Sequence, residues 1–216
     1  MQTLGVSDSL PHSESRLKSL FWPSIQSGSD VDYLGIQGYW VCTLVAGMTM
    51  VIALFSLGSA RSLIQAIVLG LTSSMFFVFF YVGGIGVREG SRFAAAVVFV
   101  IYALDTGTFL SRLFSASGAV GLVVSPGLAM ALLIKLAVTV VLFCNLRATL
   151  IAARWVPGTE ESVLPPRRSE TFSDRFVDQW PRWIWPKIRI PYYLFAAFVS
   201  FIIILGYVVL LLRHSR

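Results

Sequence analysis

Two ionisable residues stand inside long apolar runs. Asp105 lies within FAAAVVFVIYALDTGTFL and Lys135 within PGLAMALLIKLAVTVVLFCNLR. A carboxylate and an ammonium in neighbouring apolar segments could pair with each other, hold an ion or an anionic solute, or pass a proton. Tyr102 precedes Asp105 by three residues and Thr108 follows it by three. Both share its face of a helix, so the four residues make one candidate polar site. On the second run, Gly127, Ala131, Lys135 and Thr139 share a ridge, and its small members let a neighbouring helix come close. Other chemistry lacks its residues. His12 and His214 are the two histidines, and the chain has no H-E-x-x-H or G-x-S-x-G pattern. The glycines of GGIG lack the spacing and the Lys-Ser/Thr of a phosphate-binding loop. Cys42 and Cys144 sit in apolar runs and read as small buried hydrophobes, without metal or disulfide spacing. No catalytic, cofactor-binding or metal-ligating set is expected, and an enzyme has no support in these residues.

The elements that must position the polar site follow from composition. The chain of 216 residues is 56% hydrophobic and only 13% charged, with a mean hydropathy of +0.76. Soluble domains are about 45–50% apolar and about 25% charged. The excess falls in blocks of roughly twenty residues, the length of a helix crossing a hydrocarbon core about 30 Å thick. The expected fold is an all-α integral membrane bundle with five transmembrane helices and interfacial amphipathic segments. A net charge of +6 fits basic loops at a membrane and needs no nucleic acid.

Residues 1–38 read as a polar cytoplasmic segment without a cleaved signal. In it, Leu17, Leu20 and Phe21 fall at helical spacing before Trp22, as a surface helix anchored at headgroup level or as a tail. Residues 39–156 hold four spans. The first, 39–57, opens on Tyr39 and Trp40. The second, 62–82, carries a stripe of small residues, Ser62, Ala66, Gly70 and Ser74, suited to close helix association. Residues 83–92 read as a flexible loop, 93–110 as the third span, and 126–146 as the fourth, with a helical pattern continuing beyond it. Residues 157–191 form a cytoplasmic loop broken at Pro165 and Pro166. Its Phe172, Phe176 and Trp180 recur every fourth residue, as in a helix lying on the membrane surface. Trp180, Trp183 and Trp185, with Arg182, Lys187 and Arg189, make an interfacial collar before the fifth span at 192–212. Residues 192–216 comprise that span and a short basic tail.

Five spans put twelve basic residues on the side of the N-terminus and four on the other. The positive-inside rule then places the N-terminus in the cytoplasm and the C-terminus outside. Asp105 lies about 10 Å, and Lys135 about 13 Å, from the non-cytoplasmic end of its span. Consecutive antiparallel helices thus bring them to one depth. Each alone would cost at least ~2.5–3.5 kcal/mol near the bilayer centre. Three readings stand: a structural pair fixing two helices, a lysine reaching outward to the interface, or a functional site.

The LFWPSI, CNLRATL and LPPRRSETFSDRFVDQWP…IWPK segments resemble those of a group of small bacterial multi-pass membrane proteins with no assigned activity. The resemblance covers most of the chain and implies a bacterial inner-membrane setting, with no functional residues attached. The functional expectation is a non-enzymatic accessory or assembly component, binding the lipid bilayer and either its own copies or another membrane protein. The alternative is a small transporter or channel that uses the Asp105–Lys135 pair.

Overall fold

The computed structural model describes residues 23–117, 126–155, 163–167 and 170–214. The segment around Leu17, Leu20, Phe21 and Trp22 lies outside the described residues. The molecule is an all-α bundle, and five of its helices are long and apolar enough to cross a membrane. They are α1 (Gly28–Gly58), α2 (Leu63–Arg88), α3 (Arg92–Ser117), α4 (Pro126–Ala152) and α5 (Trp180–His214). A short α-helical turn, Phe172–Asp174, and a π-helical turn, Arg175–Gln179, lead directly into α5.

Local chemistry sets the helix starts. Asp30 reaches back so that its Oδ2 accepts from the backbone N–H of Ser27 and of Gln26, each at 3.0 Å, which starts α1 eleven residues before the apolar run at Tyr39. Ser62 caps α2, accepting from the Gln65 N–H at 3.2 Å. Gly90, at φ +69°, makes the tight turn into α3, and the Ser91 N–H bonds back to the Gly86 carbonyl at 2.9 Å. Thr171 and Asp174 cap each other's backbone N–H at the start of the final helical run.

Helices α1 to α4 form a ring in which α1 and α3 each touch both α2 and α4; α5 packs outside, against α2 and α3. The buried core lies toward the end where α1, α3 and α5 begin and α2 and α4 finish. Tyr39, Phe79, Ile85, Val98, Trp185 and Tyr192 meet there. Toward the other end the helices turn Phe55, Ile64, Leu71, Leu133 and Phe201 outward, as expected of helices whose solvent is lipid.

Four expectations change. The boundary drawn between residues 38 and 39 falls inside α1, which begins at Gly28. Residues 83–88 are not a loop: α2 runs through them, because their glycines are notches for other helices. A side chain at Gly86 would begin 2.4 Å from a Trp185 ring carbon, and one at Gly83 would begin 2.6 Å from the Tyr192 hydroxyl. The boundary drawn between residues 191 and 192 falls inside α5, which contains Pro186 and Pro191. Each proline removes one helical hydrogen bond, and the seating of Trp185 and Tyr192 in the α2 notches holds the helix together across them. Trp185 is therefore a core residue and not an interfacial anchor. Trp40, Trp180 and Trp183 remain exposed.

Candidate functional site

Helix α3 carries Asp105 at its middle, and α4 carries Lys135 in its third turn. The two helices pack side by side, and Lys135 Nζ pairs with Asp105 Oδ2. The pair sits on the flank of the bundle: the Asp105 side chain is 59% exposed and that of Lys135 24%. The ammonium also lies 5.4 Å from the centre of the Tyr102 ring and 5.5 Å from that of Phe109, within cation–π range of both. The chain thus surrounds the cation with a carboxylate and two aromatic faces, while the carboxylate looks outward.

Beneath the pair, a second polar contact joins the helices. Thr106 and Thr139 hydroxyls lie 3.2 Å apart, and each donates to its own helix, Thr106 to the Tyr102 carbonyl at 3.0 Å and Thr139 to the Lys135 carbonyl at 2.8 Å. With both donors engaged along the helices, the Thr–Thr contact is a close approach more than a strong bond. Of the four residues expected at the site, the fold brings Asp105, Lys135 and Tyr102 together. Thr108 turns back to its own helix, donating to the Asp105 carbonyl at 2.8 Å. Thr106 was missed, although it lies four residues from Tyr102 and so on its face.

The expected small-residue stripe on α2 is not used within the chain at its centre, since a side chain built at Gly70 meets nothing within 4 Å. Ser62 serves as the helix cap. The close approaches fall instead at Gly38, Gly83, Gly84 and Gly86. An open apolar cleft of about 220 Å³, lined by Thr72, Met75, Phe76, Val199, Ile202 and Ile203, separates α2 from α5. It offers hydrocarbon surface and no charge.

A second ionic cluster, not anticipated, lies at the opposite end of the bundle. Arg88, the last residue of α2, has a side chain only 2% exposed. Its Nη1 donates to Asp32 Oδ1 of α1 at 2.6 Å, its Nη2 to Asp178 Oδ1, and its Nε to the Val177 carbonyl at 3.2 Å. Arg167 extends the cluster by pairing with Glu89 and donating to the Asp178 carbonyl at 3.2 Å. Nearby, the Asn145 amide donates to the Leu34 carbonyl at 2.9 Å, tying α4 to α1. The guanidinium passes over Gly35, 3.6 Å from where a side chain would start. The π-helical turn makes this geometry: its wider winding presents the Val177 carbonyl and the Asp178 carboxylate to one guanidinium. In the sequence Arg88 falls in the stretch read as a flexible loop, and Asp178 on the polar side of the helix read as lying on the membrane surface. The available signal was the pair of acids, Asp32 and Asp178, flanking spans whose ends also carry arginine.

Among the described residues, no group of three or more His, Cys, Asp or Glu side chains could hold a metal ion. The chemistry on view is ion pairing, in one place buried and in the other turned toward the surroundings of the bundle. No family model, curated protein or solved structure matches the chain.

Proposed function

We propose that the protein is a non-enzymatic assembly component of a membrane, and that the α3–α4 flank around Asp105 is the face it offers to a partner. The supporting observation is the Asp105–Lys135 pair itself. It lies mid-helix among apolar side chains, with the carboxylate more than half exposed. Facing lipid, such a carboxylate would carry much of the cost of an intramembrane charge. Against a transmembrane helix with a polar or cationic residue at that depth, the cost is offset by a further hydrogen bond or charge contact. The partner inferred is such a helix, from another copy or another protein. The twelve-to-four distribution of basic residues argues for an N-terminus in the cytoplasm and a C-terminus outside, and the resemblance of the LFWPSI, CNLRATL and IWPK segments suggests a bacterial inner membrane as the setting.

The test is the size of the complex extracted from native membranes in mild detergent. Asp105→Asn is expected to release the partner while the chain itself stays folded. A complex of unchanged size and composition sinks the proposal. Fusions of alkaline phosphatase to the C-terminus test the orientation, an inactive fusion standing against it. A transporter built on the same pair has the polar row of Tyr102, Asp105, Lys135, Thr106 and Thr139 in its favour. It predicts solute or proton flux in liposomes that falls on neutralising Asp105, and absence of flux in the parent removes it.

A further inference from the structure

The first turns of α5 cross the end of α2 instead of running along it. The Val177 carbonyl meets Arg88, and the Tyr192 hydroxyl meets the notch at Gly83. Between those contacts the α5 side travels fifteen residues, roughly 22 Å, while α2 travels five, roughly 8 Å. Beyond Tyr192 the two helices keep pace: Phe79 touches Tyr192 and Phe195, and Val199 to Ile203 line a cleft with Thr72 to Phe76. The stretch before Tyr192 therefore lies across the bundle end, oblique to the spans, where the membrane surface would be.

The outer face of that stretch has a definite composition. Pro181, Trp185 and Tyr192 are turned to the core. Opposite them, Trp183 is 59% and Ile190 63% exposed. Arg182 and Arg189, seven residues or about 10 Å apart, flank this apolar strip on one side, and Lys187 flanks it on the other, all three exposed. Lys187 Nζ sits 3.5 Å above the Trp183 ring. Among the described residues, no carboxylate pairs with Arg182, Lys187 or Arg189, whereas Arg88 and Arg167 are both paired. The nearest carboxylate along the chain, Asp178, is committed to Arg88.

We infer that this face binds anionic phospholipid of the bilayer surface, with Trp183 and Ile190 entering between acyl chains and Arg182, Lys187 and Arg189 holding the phosphodiester headgroups. The arrangement fits lipid because one narrow face presents both an apolar wedge and three cations that have no carboxylate partner among the described residues, at the point where a helix enters a span. A basic residue near an anionic surface contributes about five-fold in affinity, so three set a clear preference over zwitterionic lipid. The reading stands independently of the α3–α4 flank.

The test uses the full chain reconstituted in phosphatidylcholine vesicles containing a minority of lipid brominated in the acyl chains. The quenching that Trp183 contributes is the difference between the parent and Trp183→Phe. Brominated phosphatidylglycerol is expected to quench it more strongly than brominated phosphatidylcholine at equal content. Arg182→Gln/Lys187→Gln/Arg189→Gln should lower that preference at least about ten-fold, and Arg182→Lys/Arg189→Lys should retain it. Equal quenching by the two lipids, or a preference that survives the triple substitution, overturns the inference. So does a Trp183 reached by neither lipid, which would place a protein over the face. Loss of the preference on adding soluble glycerol phosphate overturns it too, since the site would then be one for free phosphate.

Discussion

The two ionic centres of this bundle use the same chemistry under opposite conditions. At the end where α2 stops, Arg88 is enclosed, and three of its N–H groups meet two carboxylates and a carbonyl from other elements. Midway along the α3–α4 flank, Lys135 meets one carboxylate and two ring faces, and that carboxylate is open to whatever surrounds the protein. The first centre is enclosed and joins four parts of the chain: α1, α2, the π-helical turn and the segment carrying Arg167. The second joins two adjacent helices already packed together and leaves acceptor capacity unused. A satisfied buried ion holds a fold in place, since removing one partner strands the others. An ion pair with spare valence on an outer face does less for the fold and keeps an acceptor open to its surroundings.

The sharpest way to break this contrast is to remove Arg88. Arg88→Ala should destabilise the protein by about 3–5 kcal/mol, because Asp32 and Asp178 are left facing each other without their cation. Thermal unfolding in detergent would show it, and a change no larger than that of a surface substitution would mean the cluster is ornamental. Next in size is Gly86→Leu, which drives a side chain into the Trp185 ring. It should cost about 1–3 kcal/mol and shift the tryptophan emission, since the ring that seats α5 must move.

At the flank the expected effects on stability are smaller. Asp105→Asn should change unfolding by about 1–2 kcal/mol, the scale of a polar contact between helices in lipid, since the amide oxygen still accepts from Lys135, while its main effect falls on the size of the proposed complex. A loss of several kcal/mol would instead make the flank a structural centre like the other end. Smallest of all is Gly70→Ile, at a position with nothing near it. Stability should stay within about 0.5 kcal/mol, and chemical cross-linking should reveal whether copies of the chain associate through this stripe.

What could be read beforehand follows from which forces are local. Five apolar runs name five helices because length and composition alone decide whether a segment can cross hydrocarbon. The Asp105–Lys135 pairing was legible because two consecutive antiparallel helices fix relative depth from rise per residue. The Arg88 cluster was not legible in this way. Asp32, Arg88 and Asp178 are separated by 56 and 90 residues, and nothing in a linear sequence says which loop charge folds over which. The glycines of residues 83–86 carried two meanings, flexible connection or notch, and only the arrival of Trp185 and Tyr192 selects the second. The stripe on α2 shows the converse: small residues at helical spacing are necessary for close packing, but they do not say whether the neighbour is in the same chain.

Pro186 and Pro191 have a consequence for immersion depth. Neither can donate a backbone hydrogen, so the carbonyl oxygens of Arg182 and Lys187 have no N–H four residues ahead to receive. Hydrocarbon offers such oxygens no partner, and each would be costly there. Water can satisfy both. The two prolines thus act as a waterline, holding the turns before Tyr192 in the wet layer and setting how far the helix can sink before its dry length begins.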